Sequence, residues 1–110
     1  MATSTLKAEW KLITETIGSN SITLPNDWTE ILAIPYITDS VNNGYGRNII
    51  IMRDFFATGT HAYMYSGHYR NSTVYSECMI EFTETNAKLS EFYDNGENKT
   101  SNARTRYYYK

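Results

Sequence analysis

The chain has 110 residues, of which 41% are hydrophobic and 20% are charged, and its formal net charge is −2. This length suits one domain with one hydrophobic core, and the charge content is too low for a disordered chain. The slightly acidic balance argues against binding to DNA or RNA, because the capture of phosphates needs a basic surface.

The composition favours sheet over helix. Ten tyrosines occur together with many threonines and asparagines, and β-branched and aromatic side chains fit the half-buried surface of a strand. Cys78 is the only cysteine, so no intramolecular disulfide can form, and its apolar neighbours predict a buried, unreactive thiol. The sequence has neither the apolar stretch of a signal peptide nor an 18-residue apolar run, which predicts synthesis in the cytoplasm without membrane insertion.

The first third of the chain predicts a leader and two strands. Residues 1–8 are mostly small and polar, and we expect them to form a leader or linker stub before a domain that spans residues 9–110. An imperfect two-residue period predicts a strand over 10–17. Glycine and asparagine at 18–20 end this strand, and a short return strand follows at 21–24. The face predicted for the first strand consists of Trp10, Leu12, Thr14 and Thr16.

The middle of the chain predicts two more strands around a long loop. Residues 30–38 are mostly apolar, and Pro35 among them indicates an edge strand or a bulge, because proline has no N–H to donate. Residues 39–46 are rich in asparagine and glycine, which predicts a loop. Residues 48–52 predict a strand that is covered on both faces. For residues 54–59 two interpretations stay open: one helical turn, or a loop whose two phenylalanines plug the end of the core.

The second half of the chain predicts a series of alternating strands. Residues 61–66 place His61, Tyr63 and Tyr65 on one face, and a hairpin loop is expected at 67–72. Residues 73–84 form the longest predicted strand, and strands at 88–93 and 104–109 lie on either side of a polar hairpin loop at 94–98. The core face of the longest strand is expected to consist of Val74, Ser76, Cys78, Ile80 and Phe82.

These segments amount to eight candidate strands at short spacing, with turn residues between them and almost no helical period. The pattern predicts an all-β fold, an antiparallel β-sandwich or jelly roll of about seven to eight strands.

The sequence provides little support for chemistry. His61 and His68 have no third ligand near them in the sequence, so no metal site is predicted. Phosphate-binding glycine loops and nucleophile elbows are absent from the sequence, and we predict no cofactor and no enzymatic activity. Glu77 and Glu81 share one strand face and fit an outward, solvated pair better than the acid and base of a glycosidase. Residues 94–98 fit a plain turn better than a calcium loop.

The tyrosines are the most suggestive residues. Tyr63 and Tyr65, with Tyr69 in the adjoining loop, would form an exposed aromatic platform for sugar rings or for a protein partner. Tyr45 and Asn43, in the long loop, are further binding candidates. The alternative is that these rings are largely buried with their hydroxyls at the rim. In Tyr107-Tyr108-Tyr109 at least one ring must face the core and at least one must face away.

Two stretches of the chain resemble a known family. Trp10-Lys11-Leu12-Ile13 with the segments 21–25 and 28–32 is similar to the start of a small C-terminal β-domain of bacteriophage and prophage structural proteins, of tail-fibre, minor-tail or head-fibre type. Arg106-Tyr107-Tyr108-Tyr109-Lys110 resembles the aromatic and then basic end of such domains. Together the two stretches cover about a third of the chain, and they identify no functional residue that could be transferred to it.

The resemblance implies a virion module that self-associates, with a trimer favoured, and that attaches to a host-surface polysaccharide. The alternative is a free-standing, lectin-like carbohydrate-binding module unconnected with virions, an interpretation that depends on Tyr63, Tyr65 and Tyr69 alone.

Overall fold

Nine short strands make up most of the part of the molecule that the structure describes. The computed structural model describes residues 9–37, 48–56, 61–71 and 74–110, and for 68–71 and 74–75 it describes the backbone alone. The predicted leader 1–8 and the predicted loop 39–46 lie outside the described residues. The strands are β1 Lys11–Ile17, β2 Ile22–Thr23, β3 Glu30–Tyr36, β4 Ile49–Met52, β5 Ala62–Asn71, β6 Val74–Phe82, β7 Asn86–Asp94, β8 Glu97–Asn98 and β9 Arg104–Tyr109. Two 3₁₀ turns lie at Arg53–Phe56 and Thr100–Asn102.

The strands form two sheets. The first sheet has the order β1-β9-β3-β4, and the second has the order β2-β7-β6-β5 with β8 beside β7. Every described pairing is antiparallel, and the inner faces of the two sheets share one apolar core. The prediction of an antiparallel β-sandwich is therefore confirmed. Among the described residues no helix is long and apolar enough to cross a membrane.

The core follows from strict alternation in the central strands. In β6 the side chains of Cys78, Ile80 and Phe82 are fully buried, as the pattern predicted. Leu89 of β7 and Tyr107 of β9 are fully buried as well. Tyr108 points outward, so the prediction that the tyrosine triplet divides between core and surface is confirmed.

One end of the sandwich is closed around Trp28. The indole is buried, and its Nε1 donates a hydrogen bond of 2.8 Å to the carbonyl oxygen of Glu84. The Arg53 guanidinium lies 5.2 Å from the centre of the indole ring, and Phe56 packs against its edge at 6.1 Å. Phe56 is buried but Phe55 is 55% exposed, so the turn at 53–56 contributes one ring to the core rather than a pair.

Several predicted strands differ from expectation in their burial or in their neighbouring strands. Ile49 and Ile51 face the core and are buried, whereas Ile50 and Met52 on the opposite face are 52% and 58% exposed, so β4 is covered on one face only. β2 pairs with β7 in the second sheet rather than returning along β1. Pro35 lies in an interior strand, but the described part of β4 pairs only as far as Ala33, so Pro35 has β9 as its one described neighbour.

The first strand contains a bulge that the sequence pattern did not reveal. The pairing of β1 with β9 shifts between Leu12 and Thr14, and an extra residue in one strand reverses the facing of those beyond it. Leu12 therefore lies outside, whereas Thr14 and Thr16 pair with the inward-facing Tyr107 and Thr105. The predicted common face of this strand is thus divided between core and surface.

Two predicted hairpin loops have different outcomes. β5 continues to Asn71 and pairs with β6 over nearly its whole length, so the loop predicted at 67–72 was placed too early. The loop predicted at 94–98 is a tight hairpin between β7 and β8. Asn95 and Gly96 have φ values of 52° and 81° at its tip, the positive values that two-residue hairpins require.

We expect Trp28 to dominate local stability. Replacing Trp28 with Ala removes the buried indole and should lower the free energy of unfolding by about 3–5 kcal/mol. Trp28→Phe keeps an aromatic ring but removes the donor to Glu84, and should cost less. Urea denaturation followed by circular dichroism would measure both, and a loss below about 1 kcal/mol for Trp28→Ala would contradict this account.

Unlike the Trp28 indole, the hydroxyl of Tyr107 is not expected to stabilise the fold. It is buried near the hydroxyls of Thr16 and Thr105, and none of the three forms a hydrogen bond of good geometry within the described part of the chain. Burial also raises the pKa of Tyr107 to about 12. Because an unsatisfied buried hydroxyl costs about 1–3 kcal/mol, Tyr107→Phe should leave stability unchanged or raise it. Tyr107→Ala should lower it by about 3–5 kcal/mol, and an equal loss in both variants in thermal or urea unfolding would be inconsistent with this prediction.

Candidate ligand-binding face

The outer surface of the second sheet carries the exposed tyrosines. In β5, Ala62 is buried and Met64 packs against the core, because their partners in β6 are Phe82 and Ile80. The intervening side chains must then point outward. Tyr63 and Tyr65 do so, and each is 57% exposed. The two rings are therefore exposed on one strand face, and their role as a binding platform stays a prediction.

The strand register places charged groups beside both rings. One row across β5, β6 and β7 is Tyr63, Glu81, Lys88, the next is Tyr65, Met79, Glu91, and the third is Gly67, Glu77, Tyr93. We call the outward side chains of these rows the tyrosine face.

Glu81 holds the first tyrosine. Its side chain is only 17% exposed, and it accepts a hydrogen bond of 3.2 Å from the Tyr63 hydroxyl. His61 Nδ1 lies 3.3 Å from the same carboxylate oxygen, and Lys88 Nζ lies 3.5 Å from the other. Three neighbours thus fix the position of this carboxylate, which in turn restricts the rotation of the Tyr63 ring.

Glu77 is the corresponding hydrogen-bond partner of Tyr65. Its cross-strand partner is Gly67, which has no side chain, so Glu77 is free to meet Tyr65 diagonally. A hydrogen bond to Glu77, partial burial and the nearby charge of Glu91 together raise the pKa of Tyr65 to about 12. The phenol donates this hydrogen bond to Glu77, which favours its protonated form.

The face is acidic and aromatic. Its carboxylates are Glu77, Glu81 and Glu91, against one lysine, and it offers hydrogen-bond acceptors beside two exposed rings. A shallow depression of about 200 Å³ adjoins it. This depression is lined by Ser21, Glu81, Thr83, Asn86, Ala87 and Lys88. Rings surrounded by a few placed polar groups are typical of small-ligand sites.

The two glutamates of β6 are badly placed for glycoside hydrolysis. They are four residues apart on one strand, which separates their backbone positions by about 13 Å, whereas paired carboxyl groups in glycosidases lie roughly 5–9.5 Å apart. Each is engaged by a tyrosine instead. In the described part of the chain, no three histidine, cysteine or acidic side chains lie close enough to hold a metal ion.

The other predicted site residues have mixed outcomes. Tyr69 belongs to strand β5 rather than to a loop, which corrects the prediction for its backbone, and its side chain lies outside what the structure describes. Tyr45 and Asn43 also lie outside the described residues. Sequence reasoning missed Glu77 and Glu81 as tyrosine partners, although it recognised that both face outward. The missing signal was the register of the hairpin.

Comparison with known protein families, with curated proteins and with solved structures finds no match for this chain.

The pKa of Tyr65 tests the geometry of the face. A phenol whose pKa is higher in the folded chain adds stability below its ordinary pKa near 10, and that stability is lost as the pH rises through about 12. Glu77→Gln removes the charge that favours the protonated phenol, so the pKa of Tyr65 should fall towards its ordinary value.

An NMR titration of the tyrosine ring carbons would measure this change. Glu81→Gln, which removes the partner of Tyr63, is the matched control and should affect the pKa of Tyr65 less. An unchanged pKa of Tyr65 in Glu77→Gln would show that this contact is not formed.

Proposed function

We propose that the chain is a non-enzymatic adhesion module that binds a surface polysaccharide through the tyrosine face. The observation that carries this proposal is the pair Tyr63 and Tyr65, both 57% exposed on one strand face. A single exposed ring needs no explanation, but neighbouring exposed rings on one face mark an interaction site more often.

The arrangement of the pair supports a polymeric ligand. Alternate residues of a strand lie about 7 Å apart, so an extended polymer lying along the strand would meet both rings in succession. The carboxylates of Glu77 and Glu81, together with Lys88, lie beside the rings, where they would accept from and donate to ligand hydroxyls. Since Tyr63 is already held by Glu81, it would lose little rotational freedom on binding.

The virion setting of this proposal depends on the resemblance to bacteriophage structural domains. Three of the segments that carry the resemblance lie in neighbouring strands, since β9 is inserted between β1 and β3, whereas the segment 21–25 contains β2 of the second sheet. In that setting the sandwich would hold the tyrosine face rigid at a fibre or tail tip, and the ligand would be a polysaccharide of the host surface.

A second candidate keeps the same face but not the virion. The tyrosines alone favour a free-standing, lectin-like module, because nothing in their geometry requires a fibre. Genes for baseplate, portal or lysin proteins beside the coding sequence would favour the virion module, and their absence would favour the free module.

Polysaccharide binding can be tested with three variants. The full chain is screened on an array of bacterial cell-wall polysaccharides, and the affinity for the best ligand is measured by calorimetry. Tyr63→Ala and Tyr65→Ala should each weaken binding by about tenfold or more. Phe55→Ala removes an aromatic ring of similar exposure, 55%, from outside the face, and should leave the affinity unchanged.

The melting temperature should change little in all three variants, because the rings are exposed. Unchanged affinity in both tyrosine variants, or no binding to any polysaccharide on the array, would contradict the proposal. Release of new reducing ends from a bound polysaccharide would contradict its non-enzymatic part.

A further inference from the structure

The outer surface of the first sheet carries a line of apolar side chains across all four strands. The register aligns Leu12 of β1 with Tyr108 of β9, Tyr108 with Leu32 of β3, and Leu32 with Ile50 of β4. Leu12 is 59% exposed and Ile50 is 52% exposed, while the two central side chains are half-buried. We call these four residues the apolar row.

The apolar row extends along the strands as well. Met52, two residues beyond Ile50 in β4, is 58% exposed, and Ile34 follows Leu32 on the outward side of β3. A two-sheet protein normally covers its outer faces with polar side chains. A contiguous apolar patch on such a face is typical of a surface that meets another molecule.

The charged side chains that flank the row on one side, along the strand direction, neutralise one another. Glu15 lies 3.2 Å from Arg106 and 3.4 Å from Arg104, and it accepts a hydrogen bond of 2.8 Å from the Tyr36 hydroxyl. These contacts lower the pKa of the Glu15 carboxyl, with the Tyr36 hydrogen bond as the largest cause.

The charged side chains that flank the row on its other side also neutralise one another. Lys110 Nζ lies 3.3 Å from Glu9, 3.5 Å from Glu30 and 4.8 Å from the centre of the Trp10 ring. Counting both sides of the row, three carboxylates face three cations among the described residues, so the described part of this face has no net charge with which to select an oppositely charged partner.

A second copy of the chain fits such a face. Two neutral faces do not repel each other, whereas two copies of the tyrosine face, with three carboxylates and one lysine, would. The row also runs from edge strand to edge strand, so a two-fold axis parallel to the strands between β9 and β3 would lay one row on the other. The molecule measures 40 × 36 × 21 Å, and its broad faces are large enough for the roughly 800 Å² per partner of a standard interface.

We propose that the chain forms a two-fold dimer through the outer face of the first sheet, centred on the apolar row. The tyrosine faces then lie on the two outer surfaces of the dimer and point in opposite directions. Because the two sites face away from each other, such a dimer would bind two separate polymer chains rather than one flat surface. The dimer itself does not depend on the proposed ligand.

Sedimentation equilibrium of the full chain tests the dimer. The experiment covers about 1 to 300 μM protein, with a reducing agent because the chain has one cysteine, Cys78. The mass should rise with concentration from the monomer value of 12.7 kDa towards twice that value. Leu12→Lys and Ile50→Lys should each raise the dissociation constant by about tenfold or more, since each change occurs twice in a two-fold interface.

Phe55→Lys is the matched control, because it adds the same charge at a site of 55% exposure away from the row, and it should dimerise like the unaltered chain. Circular dichroism checks that all variants are folded. A strict monomer, a threefold mass, or an association that both row variants leave unchanged would overturn the proposal. A change of equal size in Phe55→Lys would also overturn it, because association would then depend on total charge rather than on the row.

Discussion

The burial of Cys78, Ile80 and Phe82 is the constraint on which the candidate site depends. These side chains are fully enclosed between the two sheets, and they fix the phase of β6 so that Glu77 and Glu81 point outward. A slip of one residue would reverse every side chain of the strand. It would place carboxylates in the core, where an unpaired charge costs several kcal/mol. The core therefore specifies the chemistry of the outer surface as well as the fold.

The phase of β6 also links the core to the geometry of the tyrosine face. Because Met64 must pack against the core beside Ile80, Tyr63 and Tyr65 have no inward position available to them. Each then meets a glutamate of β6, directly in one case and diagonally in the other. The result is a pair of rings that are exposed yet held in place. A rigid aromatic surface with adjacent acceptors fits the binding module proposed above.

The sequence predicted which side chains face outward better than which strands are neighbours. Two-residue alternation in β5 and β6 is a local property, and it located Tyr63, Tyr65 and the buried set correctly. The pairing of Tyr63 with Glu81 depends on where the hairpin turns. Gly67 and Asn71 suggested an early loop, whereas the backbone stays in the sheet through both. Likewise Ile49-Ile50-Ile51 is typical of a strand buried on both faces. Only the structure shows that β4 is an edge strand and that Ile50 lies outside.

The two broad surfaces of the sandwich differ in a way that a single role does not explain. If the outer faces served only to keep the chain in solution, polar side chains would suffice at Leu12, Ile50 and Met52, as they do at Lys88 in the second sheet. Instead, one surface has apolar side chains at these positions and charges that neutralise one another, while the other combines exposed rings with unbalanced carboxylates. A neutral apolar surface suits a copy of itself, and an acidic aromatic surface suits a different molecule. Assigning self-association to the first sheet and ligand binding to the second accounts for both compositions, because neither surface then has to compromise between the two tasks.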